Sequence, residues 1–400
     1  MTDRPGEPSL LDDLERHVRR AHWTDAARAL QSFVAAHESV HDGYRDVVAR
    51  ILTRILEQFG PDAVEQLNEA HATWQGLEPI MSLPPRDLVR RIADINHWHM
   101  SRFRVIEDEQ KVTFLLQPCG SGGRLINEGR YYLTGDRPYA LMPRASRSTF
   151  SMPDFPVYCN HCSEMSRTIL TGGGRGWLIE GWTPDHRFGG CRLHVFKSYA
   201  RVTPEFFTRL DIHAPTADHG PAESWFSPQE LLELSTPLAT RLARAIEAQD
   251  ASGAQRLIET TRAAWESGLL PGYRTWTTEL YAWVRALYGP DTFSRLVRDT
   301  AFDLFSRAQA MARGGEPEEA WHRYWRCHGA LLQSQRRNGA YRLELSAACL
   351  FAPGARGEPF VVPVEPLCDS FNAHFAGPDR ASTRLHPGGD GRLVMLIGAP

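Results

Sequence analysis

Cys159, His161 and Cys162 place two thiols and an imidazole within four residues of a chain that has seven cysteines in all. A C-x-x-C knuckle sets two sulfurs near the spacing a tetrahedral zinc takes, and two distant cysteines can close the shell. Cys119 lies 40 residues before the knuckle and Cys191 lies 29 residues after it. These four thiols predict one metal centre, with zinc as the expected ion and iron as the other metal that suits thiolates. Four thiolates on the metal would make a closed, structural site. Three with a water would make a catalytic one, in which Glu164, His161 or His99 moves protons.

The stretch Cys119-Gly120-Ser121-Gly122-Gly123-Arg124 follows a strand-like run. Read as a tight turn, it presents backbone N–H groups beside a metal ligand, and Gly122, Gly123 and Arg124 become the expected anchor for a carboxylate or phosphate. The stretch is also similar to the glycine-rich first motif of class I methyltransferases, where a helix starts at once. Here Pro118 precedes the cysteine, and Asn127-Glu128-Gly129 then Tyr131-Tyr132 read as loop and strand.

Other patterns compete for the chemistry. His37-Glu38-Ser39-Val40-His41 matches H-E-x-x-H, in which two histidines share a helix face and the glutamate activates a zinc-bound water. Asp42-Gly43 follows, so the expectation is a helix end with solvated histidines. The corresponding Gly268-Leu269-Leu270-Pro271-Gly272 reads as a loop. The proline before Cys159 is out of step with the P-C-x-x-C of nucleobase deaminases, and no H-x-E occurs. A redox C-x-x-C normally opens a helix in a βαβ unit. Pro156-Val157-Tyr158 and the strand-like residues after Cys162 do not predict one. His97-Trp98-His99, read at a helix-to-strand junction, puts two imidazoles on one face of a strand.

The elements that must position these groups recur. Gly43-Tyr44-Arg45 returns as Gly272-Tyr273-Arg274, and Gly60-Pro61-Asp62 as Gly289-Pro290-Asp291, both 229 residues later. Val112 to Leu116 ahead of Cys119 is matched by Tyr341 to Leu345 ahead of Cys349. A period this long indicates a duplicated domain, not a solenoid. Apolar spacing predicts helices over 8–20, 24–38, 44–59, 61–77 and 85–98. Short strands are predicted at 102–106, 111–116, 167–170, 176–181 and 192–196, with Gly172-Gly173-Gly174 as a hairpin turn. Ser227-Pro228-Gln229-Glu230 is a capping box that opens the second copy. There a helix is predicted over 316–332, with strands near 341–346, 358–364 and 392–397. Nothing after Cys349 resembles the knuckle, so only the first copy is expected to hold metal.

The expected fold class is α+β: a tandem duplication of a helical bundle followed by a small antiparallel sheet. The boundaries read 1–100 and 101–212 for the helical and zinc-binding parts of copy one, and 213–226 for a linker. The second copy follows as 227–332 and 333–400. The net charge of −3 and pI near 6.6 give no electrostatic reason to expect nucleic acid. No apolar run approaches the roughly 20 residues that span a bilayer. With no apolar leader and an odd cysteine count, the expected compartment is a reducing cytoplasm. Two functions follow. One is a zinc-dependent enzyme acting on a small polar or anionic metabolite by hydrolysis, elimination or group transfer. The other is a non-enzymatic, zinc-stabilised scaffold that binds a protein partner or a second copy of itself.

Overall fold

The computed structural model describes residues 7–74, 80–132, 139–172, 177–214, 223–313, 316–337, 340–347, 350–351, 364–375, 383–389 and 392–398. It divides into two compact units: a terminal unit of Met1–Ile51 with Ala239–Pro400, and a middle unit of Leu52–Leu238. Both mix helices with small antiparallel sheets, the α+β class. No described helix is long and apolar enough to cross a membrane.

The elements run α1 (Leu10–Arg19), α2 (Trp23–Phe59), α3 (Pro61–Trp74), α4 (Pro85–Trp98), β1 (Phe103–Glu107), β2 (Lys111–Leu116), α5 (Gly122–Asn127), β3 (Leu141–Met142), β4 (Phe155–Pro156), α6 (Asn160–Thr171), β5 (Leu178–Glu180), β6 (Cys191–Phe196), α7 (Pro204–Arg209) and α8 (Pro228–Ser235). They continue as α9 (Leu238–Glu247), α10 (Ala251–Ala264), α11 (Leu270–Thr300), α12 (Asp303–Arg313), α13 (Pro317–His328), β7 (Leu331–Arg337), β8 (Ala340–Ser346), α14 (Val364–Phe375), β9 (Arg384–Pro387) and β10 (Arg392–Ile397).

In the middle unit, four strands pair antiparallel in the order β1-β2-β6-β5. Strands β2 and β6 bury Val112, Phe114, Leu193 and Val195, and helix α6 packs against α3 and β5. Its buried Met165 and Ile169 are one helical turn apart, which is why 167–170 is helix and not the expected strand. Gly172 caps that helix, so it opens no hairpin; Gly173 and Gly174 lie outside the described residues. The Ser227 capping box is present, its side chain accepting from the Glu230 N–H. The linker expected at 213–226 falls largely outside the described residues.

In the terminal unit the strand order is β7-β8-β10-β9, again wholly antiparallel. Its core is aromatic: Trp265, Trp321 and Trp325 are fully buried, with Phe305 and Phe371 among them. Helix α13 stops at His328, where Gly329 takes φ +68°, so the helix expected to reach Leu332 gives way to β7. The strand expected near 358–364 lies mostly outside the described residues, and Val364 begins a helix. The stretch expected as a loop at 268–272 is helical: a π-turn over Trp265–Leu269 leads into α11.

Helix α2 is one element of 37 residues, so the two helices expected at 24–38 and 44–59 are continuous. Gly43 does not end it. A Cβ there would meet the Leu304 carbonyl oxygen at 2.4 Å, so glycine serves close packing in the terminal unit. Gly60, at φ +84°, is the true stop before Pro61. Gly289 breaks α11 ahead of Pro290 in the same way, at φ +82°.

Candidate metal centre

The sheet register brings the first two thiols together. Leu116 pairs with Cys191 across β2 and β6, and Cys119 follows Leu116 by three residues. The Cys119 N–H donates to the Gly189 carbonyl at 3.0 Å, tying the end of β2 to the turn before β6. Cys159 and Cys162 arrive from the start of α6: Cys159 is its N-cap and Cys162 sits in its first turn. That helix is anchored by Ser166, whose hydroxyl accepts from the Ile179 N–H at 3.0 Å, and by the buried Asn68–Asn160 pair at 2.7 Å.

All four cysteines line one cavity of about 20 Å³. Each sulfur lies within electrostatic range of the other three. Burial pushes the Cys159, Cys162 and Cys191 thiols well above the ordinary thiol range, and the neighbouring thiols add to the effect. A bound cation reverses that balance, since a coordinating thiol is deprotonated outright. The rest of the wall is mainly apolar, with Ile126, Phe150, Phe155 and Ile179 beside Gly122, Gly123 and Gly190.

Gly122 is needed here. A Cβ on it would meet the Cys159 sulfur at 2.3 Å, and one on Gly123 would meet the Gly189 carbonyl oxygen at 2.2 Å. Gly122→Ala is therefore expected to displace Cys159, costing about 1–3 kcal/mol of overpacking and most of the bound metal. A metal-to-protein ratio equal to that of the parent would contradict this placement.

The expected site residues divide into two groups. His161, Gly122 and Gly123 stand with the four cysteines in the cavity wall. His161 donates from Nδ1 to the Tyr158 carbonyl at 2.5 Å and turns Nε2 towards the Cys162 sulfur at 3.5 Å. Burial lowers its pKa to about 4, against the pull of that carbonyl. Glu164, Arg124 and His99 are not among the lining residues. Glu164 is buried and accepts from the Ser148 hydroxyl; burial raises its carboxyl pKa more than Ser148 lowers it. Arg124 lies on α5, which starts at Gly122, where a loop had been expected. His99 caps the end of α4, and its backbone carbonyl packs on Gly120. His97 stands inside that helix, not on a strand. It stacks on Phe103 at 4.5 Å and donates to the Leu234 carbonyl at 2.9 Å, so the two imidazoles share no strand face.

His186 went unnoticed in the sequence. It lines the cavity, is 4% exposed, and stacks on Phe155 at 4.8 Å. Burial lowers its pKa to about 4, with the Arg187 charge adding to the effect. Its Nδ1 has no hydrogen-bond partner among the described residues. The one available signal was its place five residues ahead of Cys191, next to Gly189-Gly190.

The C-x-x-C does open a helix, contrary to expectation, because Asn160 onwards is helical. The sheet beside it is antiparallel throughout, so the βαβ setting of a thioredoxin-like redox pair is absent among the described strands.

The H-E-x-x-H residues stand in the middle of α2, in the terminal unit. His37 and His41 are fully buried, not solvated, with ring centroids 6.0 Å apart. Glu38 is exposed. His41 donates to Asp42 at 2.9 Å and accepts from the Tyr273 hydroxyl at 3.3 Å, while His37 packs edge-on against Trp265 at 4.3 Å. These contacts make His41 a core group. His41→Ala is expected to cost about 2–3 kcal/mol by leaving Asp42 and Tyr273 buried without it, with the metal content unchanged. Loss of metal from that variant would move the centre to the N-terminal helices.

A second group, unread in the sequence, sits at the α1–α2 junction. His17, His22 and Asp25 bring one ligand atom each within 4.8 Å of one another, and Arg28 also pairs with Asp25 at 3.4 Å. Set against protein-family models, curated proteins and solved structures, the chain has no significant match in any of the three.

Proposed function

We propose that the middle unit is built around a metal–thiolate centre held by Cys119, Cys159, Cys162 and Cys191, and that this centre serves a scaffold, not a small-metabolite enzyme. The observation carrying it is that four thiols from three separate stretches of chain line one cavity. Zinc and iron both suit four thiolates. With all four bound, a single ion keeps no position for water or substrate. Glu164, His99 and Arg124, three of the groups an enzyme reading draws on for proton transfer and substrate anchoring, stand outside the wall, while His161, Gly122 and Gly123 stand in it.

The same reading includes the duplication. Its support is the shared strand order of the two sheets, the paired stops at Gly60 and Gly289, and the stacking of Tyr44 on Tyr273, 5.7 Å apart and 229 residues apart in sequence. The terminal-unit counterpart of the knuckle region holds no cysteine pair, so one centre per chain is expected. Cys349, the counterpart of Cys119, lies outside the described residues.

Elemental analysis with metal-edge absorption tests the proposal. Four sulfur neighbours at one centre per chain are expected. Three sulfurs with an oxygen or nitrogen would return the site to a metal enzyme acting on a small polar molecule. Two separate centres would contradict the single-site duplication.

A further inference from the structure

We infer that the group held at this centre is an iron–sulfur cluster and not a single ion; the inference rests on the metal–thiolate reading above. A zinc tetrathiolate has metal–sulfur bonds of about 2.3 Å, which puts its sulfurs about 3.8 Å apart. With sulfur's own radius of about 1.8 Å, such a shell leaves a free radius of about 0.5 Å at its centre, too small for a water-sized sphere. The four cysteines instead line, together with His186 and the apolar wall, a cavity of about 20 Å³, a volume open to the centre of such a sphere. Roughly 10–15 Å³ on that measure already holds a water.

The sulfur spacing agrees. Among the described residues, the one set of three ligand atoms within 4.8 Å of one another is His17, His22 and Asp25. No three of the four thiols form such a set, although each interacts with the other three. A shell wider than one ion requires, made of four thiols in a mainly apolar wall, is the ligand set of two-iron and four-iron clusters.

His186 supplies independent support. It is 4% exposed, lies in the cavity wall, and its Nδ1 has no hydrogen-bond partner among the described residues. A buried imidazole nitrogen in such a place needs a partner. A cluster sulfide or ligating thiolate provides one, and hydrogen bonds to sulfur tune the potential of such clusters.

The test uses the full chain, incubated under nitrogen with an iron salt, sodium sulfide and dithiothreitol, then desalted. The expected product carries iron and acid-labile sulfide in about equal amounts, about two to four of each per chain. Its visible absorption should bleach with dithionite, and iron-edge spectra of this unmutated protein should show an iron–iron vector. Cys119→Ser should lose the absorption. Because that variant can also fail to fold, His186→Phe is the second probe: it should retain the cluster while its reduction potential moves negative. An unchanged potential would remove His186 from the site. One zinc or one iron per chain, with four sulfur neighbours and no labile sulfide, would overturn the cluster while leaving the metal–thiolate reading intact. A protein that binds neither metal, with all four thiols open to alkylation in the native state, would overturn both.

Discussion

Cys162→Ser should lower stability by roughly 4 kcal/mol or more, against about 1 kcal/mol for Cys327→Ser. Both cysteines stand on helices, but they differ in what surrounds them. Cys162 faces three other thiols across a shared cavity, where a bound metal is folding energy. Serine there breaks one ligand bond and leaves three thiols without their charge partner. Cys327 is 5% exposed on α13 in the aromatic core of the terminal unit, with burial raising its thiol pKa. It behaves as a small apolar side chain, so its loss is a packing change. Cys349 lies outside the described residues, which makes Cys327 the control. Removing metal from the parent with a chelator should bring it to the level of Cys162→Ser and leave Cys327→Ser separately additive. Equal shifts in melting temperature for the two variants would remove the thiolate centre as a source of stability.

Asp46→Ala should destabilise the terminal unit by about 3–5 kcal/mol, the cost of stranding a buried charge. Arg45 is fully buried and Asp46 is 1% exposed. The Asp46 Oδ1 accepts from Arg45 Nε at 3.1 Å and Nη2 at 2.9 Å, and its Oδ2 accepts from Arg307 Nε at 3.1 Å. Asp42 stands 3.5 Å from the other Arg45 nitrogen and is itself engaged by His41. Without Asp46 the Arg45 guanidinium loses its 3.1 and 2.9 Å hydrogen bonds to that carboxylate. The double variant Arg45→Met with Asp46→Leu should be less damaging than Asp46→Ala alone, because it removes the charge along with its partner. Denaturant unfolding of the three proteins checks this, and a single-variant cost below about 1 kcal/mol would contradict it.

What the sequence made legible follows from how local each signal is. The four thiols could be picked out because thiol spacing is chemical information carried by residue type, and strands β2 and β6 were visible from alternation. Their register, which sets Cys191 opposite Leu116, is a long-range pairing that no local window contains. Gly43 was misread because glycine has two uses. It ends helices where φ is positive, as at Gly60, and it admits a neighbouring backbone where φ is helical, as it does beside Leu304. The short run at 167–170 was ambiguous because four apolar-rich residues satisfy either period. His186 was missed for a different reason. A lone histidine in a glycine-rich turn carries no motif, and only the folded wall shows that its nitrogen is buried and that it lines the cavity the four cysteines share. Arg124 and Glu164 stand near the cysteines in sequence, but short helices turn neighbouring side chains in different directions, and His99 was read from a strand alternation with His97 where the structure has a helix end.

The most direct test of the central claim is sulfur coordination in the protein as isolated without oxygen. Metal-edge absorption of the full chain should report four sulfur neighbours per metal at one centre. The cysteine sulfurs among them should be those of Cys119, Cys159, Cys162 and Cys191, protected from alkylation until the metal is removed. A metal with nitrogen and oxygen neighbours alone, with those four thiols reacting freely in the native protein, would contradict it.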